Sequence, residues 1–360
     1  MKTVIIVAPS LDAAHNVSGV SAVADFIISH NKQCEYVHFL QGKPNEEKGL
    51  LIRLNRIRTN YRRWSEILEQ YPHAIVHFNF PIDAKSITRD YSFMRLAYKK
   101  KMRMVIHLHG GMYLFKKHIP FIFKLALKKI FGWNTTFIVL SNKEKSKIES
   151  YEGSKKVFVL PNCVNLSEAA NYRREDNGNK LDILYLGRIE PNKGIDYILN
   201  AAKVLLDKGV DFIVHFAGVE SKGMGYISKF QQVLGDRFVY EGVVSGDYKV
   251  ELLKKCNVFL LPSFFEGLPM SLLECMSFGM IPVTTNVGSI SDFVVDNETG
   301  LIVQKKDTDS IVKALQRLSD SSDLRNKLSK CARDKIFTTL DPQKYVSTLN
   351  EIYESTDTCV

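Results

Sequence analysis

The chain has 360 residues, of which 45% are hydrophobic and 24% charged, and its mean hydropathy is −0.10. This length predicts two domains, no segment approaches the roughly 18–20 consecutive apolar residues of a membrane span, and the apolar run at the amino terminus is too short for a signal peptide. The formal net charge is +10, but residues 1–130 carry 21 Lys+Arg and 9 Asp+Glu (+12), which leaves 49 − 21 = 28 and 39 − 9 = 30 (−2) for the remainder. We therefore expect a cytoplasmic protein whose first third meets something anionic, such as a membrane surface, a nucleic acid or a phosphorylated substrate.

Short β-branched apolar runs alternate with longer amphipathic stretches along the whole chain. Continuous apolar runs separated by helical patterns are typical of parallel strands that are covered on both faces. The pattern predicts two doubly wound α/β domains in tandem. The predicted strands are Val4–Val7, Tyr36–Leu40, Ala74–Phe78, Met104–Leu108, Thr136–Leu140, Val157–Leu160, Asp182–Leu186, Phe212–Phe216, Phe238–Tyr240, Val258–Leu261, Ile281–Thr284 and Leu301–Val303.

The boundary between the domains is predicted within 161–180, which is polar and rich in turn residues and precedes a new apolar strand. The first domain is expected to span 1–165 and the second 175–340. A final stretch, 341–356, has apolar residues at helical spacing but follows an already complete second domain. We expect this helix to pack back on the first domain.

One motif joins a strand, a loop that holds an acid and a glycine, and an apolar helix with a second acid. It runs from Pro262 to Glu274, with Glu266 and Gly267 in the loop and Pro269 near the helix start. Backbone N–H groups at such a helix start form an anion site at the carboxyl end of the strand. The two glutamates then lie at different depths, so that one can accept hydrogen bonds from sugar hydroxyls and the other from ribose hydroxyls. The alternative is one exposed loop acid and one helix-face acid, and the positions of the glycine and the proline favour the site.

A second motif, within 184–194, leads from a strand through Gly187 into a helix. Arg188 and Lys193 would then stand at the helix entrance, where a diphosphate could lie between them. Arginine grips phosphate oxygens with a fork of N–H groups, and lysine adds a compact charge. Alone, the pattern fits two solvated surface cations equally well. Beside the first motif, phosphate binding is the favoured interpretation.

With these two motifs, the chain resembles the retaining glycosyltransferases of family 4 over essentially its whole length. The matching elements are G-R-x-x-x-x-K-G at 187–194 and E-G-x-P-x-x-x-x-E at 266–274, with weaker matches at 161–165 and 216–218. The resemblance implies the GT-B fold, in which two Rossmann-like, doubly wound α/β domains face each other across a cleft.

The resemblance also implies roles for individual residues. Arg188 and Lys193 would hold the donor diphosphate, Glu266 would contact the donor sugar, and Glu274 the ribose. The implied catalytic residues are His109, Glu266, Arg188 and Lys193. The implied donor-binding residues are Gly19, Gly187, Arg188, Lys193, Gly218, Gly242, Val243, Glu266, Gly267, Leu268, Pro269 and Glu274.

Two segments of the first domain belong to the same interpretation. Residues 16–20 follow the first strand and resemble the family's glycine loop, with Gly19 alone where the family often has two adjacent glycines. This turn lacks the G-x-G-x-x-G fingerprint, which argues against a dehydrogenase. Alternation along 104–108 places His107 and His109 on one side of a strand, with His109 at its carboxyl end. A structural histidine is the commoner case, but the following Gly-Gly and the resemblance favour His109 as the active-site histidine beside the transferred sugar.

The sequence predicts no metal site. A His-x-His site at 107–109 lacks a third ligand at a suitable spacing. Asp307 and Asp309 flank Thr308 just before a predicted helix, which indicates helix capping rather than metal binding. A metal-independent enzyme is therefore expected.

Basic residues crowd three stretches of the first domain. One of them, 115–133, combines aromatic and aliphatic residues with five lysines and no acid. Basic amphipathic helices of this kind lie on anionic lipid. Alternatively, the helix buries its apolar side in the domain core and solvates its lysines, and the sequence leaves both interpretations open. The other two stretches are Arg53, Arg56, Arg58, Arg62 and Arg63, and Lys99, Lys100, Lys101 and Arg103.

Together with these features, the resemblance implies a retaining glycosyltransferase that moves a hexose-type sugar from a nucleoside-diphosphate sugar, UDP-sugar favoured over GDP-sugar, to a glycan or lipid-linked acceptor. The resemblance places such chains in surface polysaccharide synthesis, for capsule, O-antigen or exopolysaccharide. No cofactor and no nucleic acid partner are expected, and the basic domain is expected to reach the inner face of the plasma membrane. Two alternatives stay open, a GT-B-fold nucleotide-sugar epimerase and a non-catalytic nucleotide-sugar-binding scaffold.

Overall fold

The computed structural model describes residues 1–12, 18–41, 50–116, 118–153, 155–175 and 178–356, without the side chains of residues 50–54, 56 and 112. Contacts divide these residues into two compact units. Unit 1 consists of the described residues within 1–16, 20–162 and 342–360. Unit 2 consists of the described residues within 17–19 and 163–341. The carboxy-terminal segment thus belongs to the unit that also contains the amino terminus.

Unit 1 is built on a parallel sheet with the strand order β2-β1-β3-β4-β5-β6 in the described part of the chain. Its four central strands are buried along most or all of their length, whereas the edge strands β2 and β6 are partly exposed, as expected for a sheet with helices on both faces. The chain reverses its direction of travel across the sheet between β1 and β3, so the carboxyl ends of these two strands flank a crevice. The strands are β1 (Lys2–Ala8), β2 (Cys34–Leu40), β3 (Ile75–Phe80), β4 (Arg103–Leu108), β5 (Thr136–Val139) and β6 (Lys156–Val159).

The helices of unit 1, numbered along the chain, cover both faces of this sheet. Phe78 of β3 packs against Trp64 of α2, whereas its neighbour His77, which points to the opposite face, contacts Tyr353 of α14. Helix α14 also packs through Tyr345 on Phe26 of α1. The helices are α1 (Gly19–His30), α2 (Leu50–Gln70), α3 (Ala84–Lys99), α4 (Met112–Phe115), α5 (Phe121–Phe131), α6 (Asn142–Glu149) and α14 (Pro342–Ser355).

Unit 2 repeats the architecture with the strand order β12-β11-β10-β7-β8-β9 in its described residues. Here the chain runs from β7 through β8 to β9 and then returns to the other side of β7 as β10. The carboxyl ends of β7 and β10 therefore flank the crevice of this sheet. The strands are β7 (Leu181–Leu186), β8 (Phe212–Ala217), β9 (Phe238–Gly242), β10 (Val258–Leu261), β11 (Ile281–Thr285) and β12 (Leu301–Val303).

Two helices of unit 2 begin at a side chain that caps them, Asp307 for α12 and Ser321 for α13. Asp307 caps α12, since its side chain accepts hydrogen bonds from the backbone N–H groups of Asp309 and Ser310. This confirms the predicted capping. Within the described ranges, no helix combines the length and apolar character needed to cross a membrane. The helices are α7 (Ser167–Ala170), α8 (Ile195–Asp207), α9 (Tyr226–Leu234), α10 (Gly246–Lys255), α11 (Met270–Ser277), α12 (Thr308–Asp320) and α13 (Ser322–Thr339).

Candidate functional site

The two charged motifs of unit 2 lie at the ends of neighbouring strands. One follows β7 and the other follows β10, at the crevice where the strand order reverses. There Lys193 Nζ lies 2.7 Å from Glu266 Oε1, and the two side chains are only 20% and 11% exposed. Because both charges are largely removed from water, their attraction is stronger than that of a surface pair.

Backbone contacts fix the distance between these two loops. The N–H of Phe264 donates to the carbonyl oxygen of Asn192 at 2.9 Å. Gly194 has a φ of +78°, and a Cβ atom there would lie 2.4 Å from the carbonyl oxygen of Pro262. Only glycine therefore fits at this position, both for its backbone conformation and for the space available.

We expect Gly194→Ala to destabilise unit 2 by at least about 2 kcal/mol more than Gly209→Ala, because both residues have positive φ but only Gly194 meets backbone atoms. A Cβ atom at Gly209 would meet nothing within 4 Å. Urea unfolding followed by far-ultraviolet circular dichroism measures the difference. Equal losses in the two variants would show that the loop yields and that the close approach to Pro262 is unimportant.

Three of the predicted donor-binding residues are glycines that lie together at the carboxyl edge of β7, β8 and β9. The N–H of Gly218 donates to the carbonyl oxygen of Gly242 at 2.7 Å. A Cβ atom at Gly218 would lie 2.0 Å from the carbonyl oxygen of Gly187. The side chain of Tyr240 adds a hydrogen bond from its hydroxyl to the carbonyl oxygen of Gly218, at 2.9 Å. At Gly218 the backbone of Gly187 takes the place of a side chain, whereas a Cβ atom at Gly242 would meet nothing within 4 Å, so the edge is open to a ligand there.

The second acid of the motif has a partner of its own. Glu274 lies on α11, and its Oε1 is 2.8 Å from Nζ of Lys249 on α10. Their side chains are 21% and 29% exposed. Pro269 directly precedes α11, and Leu268 before it is 4% exposed. The start of α11 is thus anchored by a buried leucine, and its acid is oriented by a lysine.

Of the remaining predicted residues of unit 2, Arg188 and Val243 are exposed, and Gly267 makes a backbone hydrogen bond between loops. Arg188 is exposed, and its carbonyl oxygen accepts a hydrogen bond from the hydroxyl of the buried Tyr185. Val243 is 42% exposed directly after β9. The carbonyl oxygen of Gly267 accepts a hydrogen bond from the N–H of Ser289 at 2.9 Å, which ties the glutamate loop to the segment after β11.

In unit 1, His109 lies beside Asn79 at the carboxyl ends of β4 and β3. His109 Nε2 is 2.7 Å from Asn79 Oδ1, and Asn79 Nδ2 donates to the carbonyl oxygen of Val7 at 3.1 Å. Asn79 Oδ1 must therefore accept, so His109 carries its proton on Nε2. Its Nδ1 is then an acceptor, shielded from solvent and without a hydrogen-bond partner among the described residues.

A buried hydrogen-bonded chain connects the neighbourhood of His109 to the carboxy-terminal helix. His77 Nδ1 is 2.7 Å from the hydroxyl of Tyr353, and His77 Nε2 is 3.3 Å from His107 Nδ1. The rings of His107 and His109 have centroids 4.1 Å apart, which confirms that they share one side of the strand. Burial lowers the pKa of His109 to about 3, with a smaller contribution from His77. All three histidines are neutral near pH 7, because burial also lowers the pKa of His77 to about 3 and that of His107 well below its usual value.

Sequence reasoning missed Asn79 and Lys249, the partners of His109 and Glu274. Neither lies in a motif, and each is 25 or more residues from the side chain it contacts. The one available signal for Asn79 was a polar side chain near the end of an otherwise apolar strand beside the chain reversal. Of the predicted glycine loop at 16–20, Gly19 begins α1, and Asn16 and Val17 lie outside the described residues.

The fold places the chain among proteins of known structure. Its backbone is similar to that of sucrose-phosphate synthase from Thermosynechococcus elongatus, with a TM-score of 0.79 and 15% identity over 100% of both chains. This similarity confirms the predicted GT-B class of two Rossmann-like domains, each built on a parallel six-stranded sheet in the described residues.

Sequence comparison points to a class of enzymes. Residues 167–335, a little under half of the chain, match the model of the family "glycosyl transferases group 1". One relative is the UDP-Gal:alpha-D-GlcNAc-diphosphoundecaprenol alpha-1,3-galactosyltransferase of Escherichia coli, 26% identical over 63% of this chain and 64% of the relative. Another is the capsular polysaccharide biosynthesis glycosyltransferase CapM of Staphylococcus aureus, 24% identical over 48% of this chain and 45% of the relative. The matched region spans less than two thirds of either relative's length, and together the matches support a glycosyltransferase with the GT-B fold.

Proposed function

We propose that the chain is a retaining, metal-independent glycosyltransferase that moves a hexose-type sugar from a nucleoside-diphosphate sugar to a glycan or lipid-linked acceptor in surface polysaccharide synthesis. The observation that carries the proposal is the Lys193–Glu266 pair at the crevice between β7 and β10. A cation for phosphate and an acid for sugar hydroxyls stand side by side, as a nucleotide sugar requires. UDP-sugar is favoured over GDP-sugar because the relative from Escherichia coli is named for UDP-Gal.

At the diphosphate, Lys193 and Arg188 would supply the positive charge. Lys193 is paired with Glu266, so donor binding exchanges partners: the phosphate oxygens take the ammonium group and the sugar hydroxyls take the carboxylate. After the exchange the ammonium group is paired with phosphate charge and the carboxylate is hydrogen-bonded by hydroxyls, so neither group is left desolvated without a partner. The exposed side chain of Arg188 can reach phosphate oxygens from the solvent side of the loop.

At the nucleoside, Glu274 would accept hydrogen bonds from the ribose hydroxyls. Lys249 fixes that carboxylate at 2.8 Å, and the carboxylate oxygens it leaves open can accept further bonds. The open edge at Gly242 lets the ligand approach the backbone, and the exposed Val243 offers apolar surface to a base. The donor would therefore lie across the carboxyl ends of the strands of unit 2.

In the proposed reaction, the bond between the anomeric carbon and the diphosphate oxygen breaks, and its electron pair stays with the diphosphate. Lys193 and Arg188 stabilise the charge that develops there. The acceptor hydroxyl forms its bond on the same face of the sugar and passes its proton to the departing phosphate oxygen, which retains the anomeric configuration. This route needs no protein base, in agreement with the pKa of His109, which burial lowers to about 3 and which makes this imidazole a weak proton acceptor. His109 would serve as a neighbour of the transferred sugar rather than as a base, since its Nδ1 is shielded from solvent.

A lipid-linked acceptor fits both the named acceptor of the relative from Escherichia coli and the excess positive charge of residues 1–130. We propose that unit 1 works at the inner face of the plasma membrane, in the cytoplasm. No cofactor and no metal are required by the reaction as written, since the nucleotide sugar carries its own activated bond.

The test is a panel of UDP-, GDP- and ADP-sugars, scored by thermal shift and by slow release of free nucleoside diphosphate. One donor is expected to stabilise the protein by about 2.7 kcal/mol at a hundredfold excess over its Kd, and to be hydrolysed slowly. Conversion of the donor sugar without release of nucleoside diphosphate would favour an epimerase, and binding without turnover a scaffold. If no nucleotide sugar binds, the proposal is wrong.

A further inference from the structure

Helix α5 exposes apolar side chains that a helix of this kind normally buries. Phe121 is 78% exposed, Ile122 70% and Leu125 45%. At 100° per residue these three lie on one face, opposite the side that packs into unit 1. The buried side is formed by Leu127, Ile130 and Phe131. Of the eight apolar residues of α5, three are buried and two, Phe123 and Ala126, pack partly buried against the core of unit 1, which leaves three exposed.

Positive charge surrounds this apolar surface. Lys124, Lys128 and Lys129 are exposed on the same helix, and residues 116–133 contain no acid. We call Phe121, Ile122 and Leu125 with these three lysines the α5 face.

The basic character extends across the neighbouring helices. Helix α3 lies between α2 and α5: Trp64 of α2 donates to the carbonyl oxygen of Phe93 on α3, and Tyr98 of α3 stacks on Trp133 just after α5. The three helices thus form one layer on one face of the sheet. On α2, Arg58, Arg62 and Arg63 are exposed, and on α3, Lys99 is exposed. The side chains of Arg53 and Arg56 and the whole of Lys117 lie outside the described residues.

We propose that the α5 face inserts into the headgroup region of an anionic bilayer, with Phe121, Ile122 and Leu125 in contact with acyl chains and the lysines at the lipid phosphates. The apolar side chains match the acyl chains of such a surface, and the flanking cations match its anionic headgroups. A second copy of the chain is a poorer occupant, since pairing two α5 faces would bring six lysines together. Nucleic acid would satisfy the charge but would leave the apolar side chains in water.

The α5 face starts near the edge of the sheet of unit 1 at which His109 lies. Helix α5 follows β4, whose carboxyl end carries His109, and Phe121 begins the helix 12 residues later. The first turn of α5 therefore starts from the edge of the sheet at which the strands end. Docking would bring this edge close to lipid, where a lipid-linked acceptor presents its sugar. That consequence rests on the proposed function, whereas lipid binding itself does not.

The experiment is co-sedimentation with vesicles of phosphatidylcholine that contain about 25% phosphatidylglycerol, at roughly 0.05 M and 0.5 M salt. We expect Phe121→Ser/Ile122→Ser to weaken binding about tenfold or more at both salt concentrations. Lys124→Gln/Lys128→Gln/Lys129→Gln should weaken it about a hundredfold, and only at low salt, because high salt already screens these charges. Val295→Ser, which removes an exposed apolar residue of unit 2, serves as the control and should bind as the wild type does.

Slow hydrolysis of the donor, measured without vesicles, separates this proposal from the proposed function. Both multiple variants should hydrolyse the donor as the wild type does, which also shows that they are folded. Wild-type protein that fails to bind the anionic vesicles at low salt would overturn the proposal, whatever the donor panel shows. A second result would also overturn it: the wild type is a dimer, Phe121→Ser/Ile122→Ser is a monomer, and both bind vesicles equally well. The α5 face would then be an interface between copies of the chain.

Discussion

Replacing Lys193 with alanine should lower kcat for sugar transfer by about 10²–10³-fold, the usual effect of removing one group that stabilises the charge developing in a transition state. Lys193 lies at the crevice of unit 2, and its side chain is only 20% exposed. Its charge would therefore act on a departing diphosphate with little screening. Initial rates with saturating donor, compared with those of the wild type, measure the effect. Lys203→Ala, which removes an exposed lysine from α8, is the matched control and should retain full activity.

The same substitution also separates a structural role of Lys193 from its role toward the donor. Without Lys193, the Glu266 carboxylate loses the partner at 2.7 Å and stays 11% exposed, which should cost about 1–2 kcal/mol of stability. Glu266→Gln in addition should restore part of that stability, because no carboxylate is then left unpaired. It should not restore kcat, since the diphosphate still lacks its cation. Recovery of kcat in the double variant would mean that Lys193 acts only through Glu266 and would refute its contact with the donor.

The strands could be predicted closely because their signal is local. Each predicted strand coincides with an observed one, and their ends differ by at most two residues. A buried parallel strand needs an uninterrupted apolar run, such as Val258–Leu261, and little else in the chain resembles it. The orientation of the helix predicted at 115–133 was harder to predict, because the helix begins only at Phe121, after Pro120, and because apolar residues occur on both sides of α5. The sequence left burial and lipid binding as alternatives there, and the structure shows apolar side chains on both the packed and the exposed face.

The partners of the candidate site residues could not be predicted in the same way. Lys193 and Glu266 are 73 residues apart, and their pairing depends on β10 returning to the side of β7. A motif identifies a residue type at a loop, but the strand order decides which loops become neighbours. Lys249 shows the same limit of sequence-based prediction. It is one of several lysines on α10, and only the packing of α10 beside α11 brings it to Glu274. No spacing in the sequence distinguishes it from Lys254 or Lys255.

Unit 1 holds the least predictable feature, a row of buried histidines that ends on the carboxy-terminal helix. His77 and Tyr353 are 276 residues apart, yet their side chains lie 2.7 Å from each other. The apolar spacing of α14 indicated a helix that packs on other elements, but nothing in that spacing marks Tyr353 as the residue that meets a histidine. This row has a consequence for stability that can be measured.

We expect unit 1 to lose about 6 kcal/mol of its free energy of unfolding between pH 8 and pH 5. Burial holds the pKa of His77 and of His109 at about 3 and that of His107 well below the usual value, whereas all three titrate near 6.5 in the unfolded chain. Between these pH values the unfolded chain binds more protons than the folded one, so stability falls as the pH falls. Each histidine contributes about 2 kcal/mol at pH 5, and 6 kcal/mol is comparable to the whole stability of a domain. Asp90 opposes the trend at lower pH, because burial raises its pKa and the folded chain then binds the extra proton.

Tryptophan fluorescence can follow this loss in unit 1 alone, because Trp64 and Trp133 are the only two tryptophans of the chain and both belong to unit 1. Urea unfolding at pH 8, 7, 6 and 5 should give a free energy that falls, below about pH 6.5, by up to about 4 kcal/mol per pH unit. His77→Gln should reduce that slope by about 1.4 kcal/mol per pH unit, whereas Ile106→Val on the neighbouring strand should cost about 1 kcal/mol at every pH and leave the slope unchanged. A flat profile in the wild type would mean that water or a proton reaches these histidines in the folded protein. The argument that His109 is too weak a proton acceptor to act as a base would then fail with it.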